Sequence, residues 1–142
     1  MTKNAMLLTA ELNDRELIRK IEDCTLPASD FTHGVILRMA WILINRFGLK
    51  EAMHKVDELK RVFYKTVLKN KHYNPALSMA YAEIVHHFME KSSCNDFGKL
   101  LGEFPRLRYD FKGLLSTHYG YDILKPRKEV LPVDRRPILF NF

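Results

Sequence analysis

Residues 31–48, FTHGVILRMAWILINRFG, constrain the fold of this chain more than any other stretch. From residue 34 to residue 44 the only charged or strongly polar side chain is Arg38. A helix that is apolar on all sides has no face to give to water and is buried all round. The apolar run is too short to span a bilayer and carries a charge inside it. The rest of the chain must therefore cover it. The expected fold class is all-α: a small, bundle-like helical domain around a buried central helix over residues 31–47.

A chain of 142 residues makes about one domain, so residues 1–142 are read as a single unit. That length closes a hydrophobic core without disulfide or metal staples, and 9 Phe, 6 Tyr and 1 Trp supply aromatic packing for it. Cys24 and Cys94 form no spaced pair and read as free thiols in a reducing compartment. The first residues, MTKNAMLLTAELNDREL, lack the apolar run and the small-residue cleavage pattern of a secretory leader. The expected location is the cytoplasm. A formal net charge of +6 favours an anionic partner without naming one.

Taken in order, residues 1–12 read as a loose lead-in. Asn13 with Glu16 forms a capping box, and Leu17, Ile18 and Ile21 give the stripe of a helix over 14–23. Pro27 breaks the chain, and Ser29 or Asp30 is expected to cap the central helix. That helix stops at Gly48, a natural residue for the position after a helix end. Leu49, Ala52, Met53, Val56, Leu59, Phe63 and Val67 then mark a helix to about Lys69. Lys50, His54, Glu58, Arg61 and Lys65 fall on its opposite, charged face. So short a link makes these two helices antiparallel neighbours. After a break over 70–74, Pro75 opens a helix whose buried stripe is Leu77, Ala80, Tyr81, Ile84 and Phe88. A shorter helix over 96–103 ends at Phe104-Pro105, and residues 112–119 make a further turn or two, giving about five helices. Residues 124–142, with three prolines and several large apolar side chains, read as an extended tail packed on the body.

Three segments carry a family resemblance. FTHGVILRMAW keeps Phe31, His33, Leu37, Arg38, Ala40 and Trp41 of an F-x-H-x-x-H-L-R-x-A-W pattern, with Ile36 in place of the second histidine. YNPALSMAY keeps Tyr73 and Ser78 of a Y-H-x-T-x-T-x-x-W pattern, with Asn74 at the histidine position. HYGYDILKPRKEVLP keeps Tyr119 and Leu131-Pro132. In these features residues 31–132 resemble a group of small bacterial helical proteins without an assigned activity. Two of the pattern's three histidines are replaced. Where those histidines bind metal or move protons, the resemblance implies an activity that this chain has lost or performs differently.

Arg38 is the first candidate for a site. A guanidinium keeps its proton, so a buried one needs partners. Arg38 stacked on Trp41 can offer its fork to a carboxylate or phosphate ligand. The plainer reading is a salt bridge to a carboxylate from another helix, Asp110 or Asp122 among them, as is usual for buried arginines. His33, in the first turn of the central helix, is held neutral by the helix N-terminus and is then a usable base; the plainer reading is a satisfied core histidine. Tyr81 belongs to a buried stripe, and Tyr73 precedes the same helix. Buried phenols need hydrogen-bond partners. His33, Arg38, Tyr73 and Tyr81 are therefore expected to line one internal polar pocket that takes a small organic anion, with Arg38 as anchor and His33 as acid or base.

Other signals are weaker. Glu51-x-x-His54 and Glu83-x-x-His86 have the spacing of a di-iron ligand pair, but His54 lies on the charged face and the central helix carries no carboxylate. His86 and His87 diverge on a helix. No metal or cofactor is expected. Residues 61–82 contain no acidic residue, and Arg61, Lys65, Lys69 and Lys71 stand among Phe63, Tyr64, His72 and Tyr73. Such a surface can hold a nucleic acid strand or an acidic protein, or be a solvated helix end. No serine elbow, activated cysteine or phosphate loop occurs. The leading expectation is a small cytoplasmic enzyme, or a protein derived from one, that binds a small anionic molecule. The alternative is a non-enzymatic binding protein using the basic surface.

Overall fold

The computed structural model describes residues 12–69 and 74–119, and among these every regular element is helical. The α-helices are α1 (Asp14–Glu22), α2 (His33–Phe47), α3 (Leu49–Phe63), α4 (Pro75–Lys91), α5 (Phe97–Glu103), α6 (Arg106–Tyr109) and α7 (Phe111–Tyr119). The all-α class holds. The tail over 124–142, most of the lead-in and Tyr73 lie outside the described residues.

α1 begins as its sequence dictates. The Asn13 side chain accepts from the Glu16 amide at 2.8 Å, and the Glu16 carboxylate accepts from the Asn13 amide. Leu17, Ile18 and Ile21 are buried. Residues Ala28–Asp30 form a single 3-10 turn after Pro27. The central helix therefore starts two residues later than expected. Its cap is Thr32, whose hydroxyl accepts from the Val35 amide, and not Ser29 or Asp30. Phe31 stays outside the helix and stacks on Phe63 with ring centres 4.3 Å apart.

α2 is covered on nearly every side. Val35, Ile36, Leu37, Met39, Ala40, Ile42, Leu43 and Ile44 are all buried. The cover comes from α3 and α4 along its length, with α1 and α6 completing it. Gly48 alone joins α2 to α3, at φ +82° and ψ 167°, a region that side chains other than glycine's rarely tolerate. The link sits at one end of the pair, and the Phe31–Phe63 stack ties the other. α2 and α3 are thus antiparallel. The charged face of α3 is solvated as read, with Lys50, His54, Glu58, Arg61 and Lys65 exposed.

α3 does not run straight to Lys69. Its last turn, Tyr64–Leu68, widens to a π-helical form and closes at Lys69, which takes a left-handed φ of 52°. Beyond Phe104 the chain is more helical than the turn or two expected over 112–119. Pro105 ends one helix and starts another, because a residue without an amide proton suits a helix's first turn. α5 packs by Phe97 against Trp41 (ring centres 5.8 Å), and Phe104 meets Phe88 (4.8 Å). α6 and α7 then fold back beside the start of α2.

Arg38 serves this architecture. Its Nη2 donates to the Leu12 carbonyl at 2.6 Å and to Asp14 Oδ1 at 3.1 Å. It thereby fixes the start of α1 against α2. The side chains of the pair are 17% and 46% exposed, so water screens it. Arg38→Met is expected to destabilise the protein by about 1–2 kcal/mol, less than loss of a fully buried pair would. Urea melts of Arg38→Met, Asp14→Asn and the double variant check this, with coupling expected between the two sites.

Candidate functional site

The first turn of α2 carries the site. His33 Nε2 lies 2.8 Å from the Leu107 carbonyl oxygen in α6. A carbonyl only accepts, so Nε2 bears the proton. Nδ1 is then the acceptor, and the Tyr81 hydroxyl of α4 donates to it at 2.7 Å. One half-buried imidazole thus links three helices that are far apart in sequence. Burial lowers the His33 pKa, the Leu107 carbonyl partly opposes this, and the positive charges of Arg108 and Lys60 add to the lowering. The ring is neutral at pH 7. Burial drives the Tyr81 pKa well above its ordinary value, so its phenol stays a donor. Phe111 of α7 stacks on the Tyr81 ring at 4.5 Å and meets the His33 ring edge-on at 5.0 Å.

The third member, Lys60, was not among the site residues expected from the sequence. Lys60 is 1% exposed, and its Nζ lies 5.0 Å from the Tyr81 ring centre and 5.6 Å from that of Tyr64. Burial lowers its pKa to about 8, against a partly restoring attraction from Asp57 one turn earlier. Asp57 is itself pushed upward by burial, while Arg61, Lys60 and a hydrogen bond from Ser78 pull it down. The signal was in the sequence: Ala52, Val56, Lys60 and Phe63 continue one buried stripe of α3, and a lysine stands where an apolar residue belongs.

Of the four residues expected to share a pocket, His33 and Tyr81 do meet. Tyr73 lies outside the described residues. Arg38 is committed to Leu12 and Asp14, five positions along α2 from His33 and so about 140° around the helix. It is not the anchor of this site. The salt bridge to another helix is present, with Asp14 as the carboxylate; Asp110 instead pairs with Arg106 at 2.9 Å, and Asp122 lies outside the described residues. Trp41 packs on Phe97 of α5.

Above His33 and Tyr81 a groove of about 280 Å³ opens to solvent, lined also by Leu77, Arg108, Phe111, Lys112 and Asp110, the last held by Arg106. Arg108 and Lys112 are exposed there and have no carboxylate partner among the described residues. The basic surface of α3 has a different character. Arg61, Lys65 and Lys69 are exposed, and Lys71 is not described. Phe63 is buried and Tyr64 packs on Phe31, so these rings face the core and not a stacked base. His86 lies 3.4 Å from Glu90, one turn away. No group of three or more metal-binding side chains comes together among the described residues. No described helix is long and apolar enough to cross a membrane. Compared with protein-family models, with curated proteins and with solved structures, the chain matches none.

Two pH effects follow. The unfolded chain holds the Lys60 proton to pH 10.5 and the folded chain only to about 8. The charge therefore burdens the fold fully below pH 8, and stability rises with pH between 8 and 10.5. Lys60→Met is expected to stabilise the protein at pH 7 by about 1–3 kcal/mol, and the gain should fade towards pH 10.5 in urea melts. For His33 the unfolded chain takes up its proton first as pH falls, so that contribution is present above pH 6.5 and lost below it. Between pH 7 and pH 5 the wild type should lose more stability than His33→Gln, with calorimetry as the measurement.

Proposed function

We propose that this protein is a small enzyme, or derives from one, and that it binds a small organic anion in the groove above His33 and Tyr81. The single observation that carries the reading is Lys60. Its charge is buried against Tyr81 and works against the fold, and a side chain kept against stability is the mark of a site with another task.

The groove supplies what such a ligand needs. Arg108 and Lys112 stand at its edge to meet the negative charge, and Leu77, Phe111 and the Tyr81 ring offer apolar contact to the ligand body. Below them, the neutral His33 ring and the Tyr81 hydroxyl form a short relay with one acceptor nitrogen and one donor proton. Lys60 places a fixed positive charge behind that relay. This is an arrangement for orienting an anion and for moving a proton to or from it. The free thiols Cys24 and Cys94 suit a reducing compartment, and we place the protein in the cytoplasm.

The test is ligand binding to the full chain, by calorimetry with succinate, citrate and glycerol phosphate. At least one should bind, and Arg108→Ser with Lys112→Ser should weaken it tenfold or more. Raising salt should weaken it, because Arg108 and Lys112 are exposed, but not abolish it, because Leu77, Phe111 and the Tyr81 ring contribute apolar contact that salt does not screen. Absence of binding by all three, or binding unchanged in the double variant, refutes the reading.

A further inference from the structure

A second groove lies away from His33, where α1, the end of α2 and the middle of α3 meet. It measures about 280 Å³ and has a floor of Ile18, Leu43 and Leu59. Four cations line it: Arg15 and Arg19 from α1, Arg46 from α2 and Lys55 from α3. Glu22 and Glu58 line it too, yet none of the three arginines forms an ion pair among the described residues.

Local structure accounts for only part of these charges: Arg19 and Arg46 stand in the last turns of α1 and α2, where a cation is favoured. Arg15 and Arg19 are one turn apart on the same face of α1, where like charges repel. Arg15 also sits in the first turn of its helix, the end that disfavours a cation. Phe47 adds a second oddity. It is 46% exposed at the groove's edge, with Lys55 Nζ 4.5 Å from its ring centre. Three exposed guanidiniums without ion pairs among the described residues, beside an exposed flat ring, offer a surface suited to an anionic ligand that carries a ring.

We propose that this groove binds a phosphorylated small molecule carrying a flat ring, the nucleotide class. The four cations against two carboxylates leave the groove net positive, which suits a phosphate or diphosphate group. The tetrahedral oxygens of a phosphate accept from several guanidinium forks at once, and the exposed Phe47 ring stacks against the ligand's ring. The apolar floor under the cations keeps the site partly dry and strengthens the attraction. This site shares no residue with the groove above His33 and does not depend on the reading given there.

The test uses ADP and inorganic pyrophosphate as probes on the full chain, by calorimetry. ADP should bind at least tenfold more tightly than pyrophosphate. Arg19→Gln with Arg46→Gln should weaken ADP tenfold or more, and Phe47→Ala should reduce ADP towards the level of pyrophosphate. These are exposed positions, so the variants are expected to fold, and far-ultraviolet circular dichroism checks that they do. Failure of ADP to bind overturns the proposal, as does binding that is lost only in the Arg108/Lys112 variant. Equal affinity for pyrophosphate and ADP overturns the ring-bearing class.

Discussion

Everything in this fold is arranged to keep water from α2. A helix with eight buried residues in fifteen, spread over all its faces, can exist in solution only when other helices close around it. α3 must return along it, which requires the sharp reversal at Gly48. α4 must cover another side, and α1 and α6 complete the enclosure. The few polar groups on α2 then have limited choices. Each has to reach the edge of the enclosure or find a partner within it. Arg38 does the first, through Leu12 and Asp14, and His33 does the second, through Tyr81 and Leu107.

These two outcomes differ in what they leave available. The Arg38 pair is half-exposed, closes a helix junction and uses its charge in doing so. His33 is satisfied without charge, in a ring that remains able to take a proton. The same contacts place Lys60 behind Tyr81 and Phe111 beside it, so the polar centre is enclosed on the core side and open on the side of α6 and α7. A buried ammonium, a protonated phenol and a neutral imidazole in series are a costly structural solution, because an apolar set would fill the same space more stably. That asymmetry is why the centre, and not the more numerous surface charges, anchors the functional reading.

The two grooves also differ in kind. The one above His33 has a polar centre beneath it and cations at its edge. The one between α1, α2 and α3 has an apolar floor and four cations that outnumber its two carboxylates and form no ion pair among the described residues. The basic end of α3, which composition makes the most conspicuous, has its described aromatic side chains turned inward. Net charge thus pointed to an anionic partner in general, while the packing of Phe63 and Tyr64 decided which cations have aromatic surface beside them.

Much of the architecture was legible in the residues themselves. The all-α class followed from the period of the apolar positions, and the capping box at Asn13 and the stop at Gly48 are local chemistry that acts through neighbouring backbone. Tyr81 was readable as buried because a stripe fixes which way a residue faces. Even the separation of His33 from Arg38 was implicit in their spacing of five. Periodicity gives an angle around a helix, however, and says nothing of what stands opposite. That Asp14 meets Arg38, that a carbonyl from α6 meets His33, and that the Lys60 stem lies inward against Tyr81 were settled only when helices distant in sequence packed together. Sequence alone determined which residues turn inward; the tertiary structure decided which of them meet, because contact depends on the placement of a second helix that no local pattern encodes.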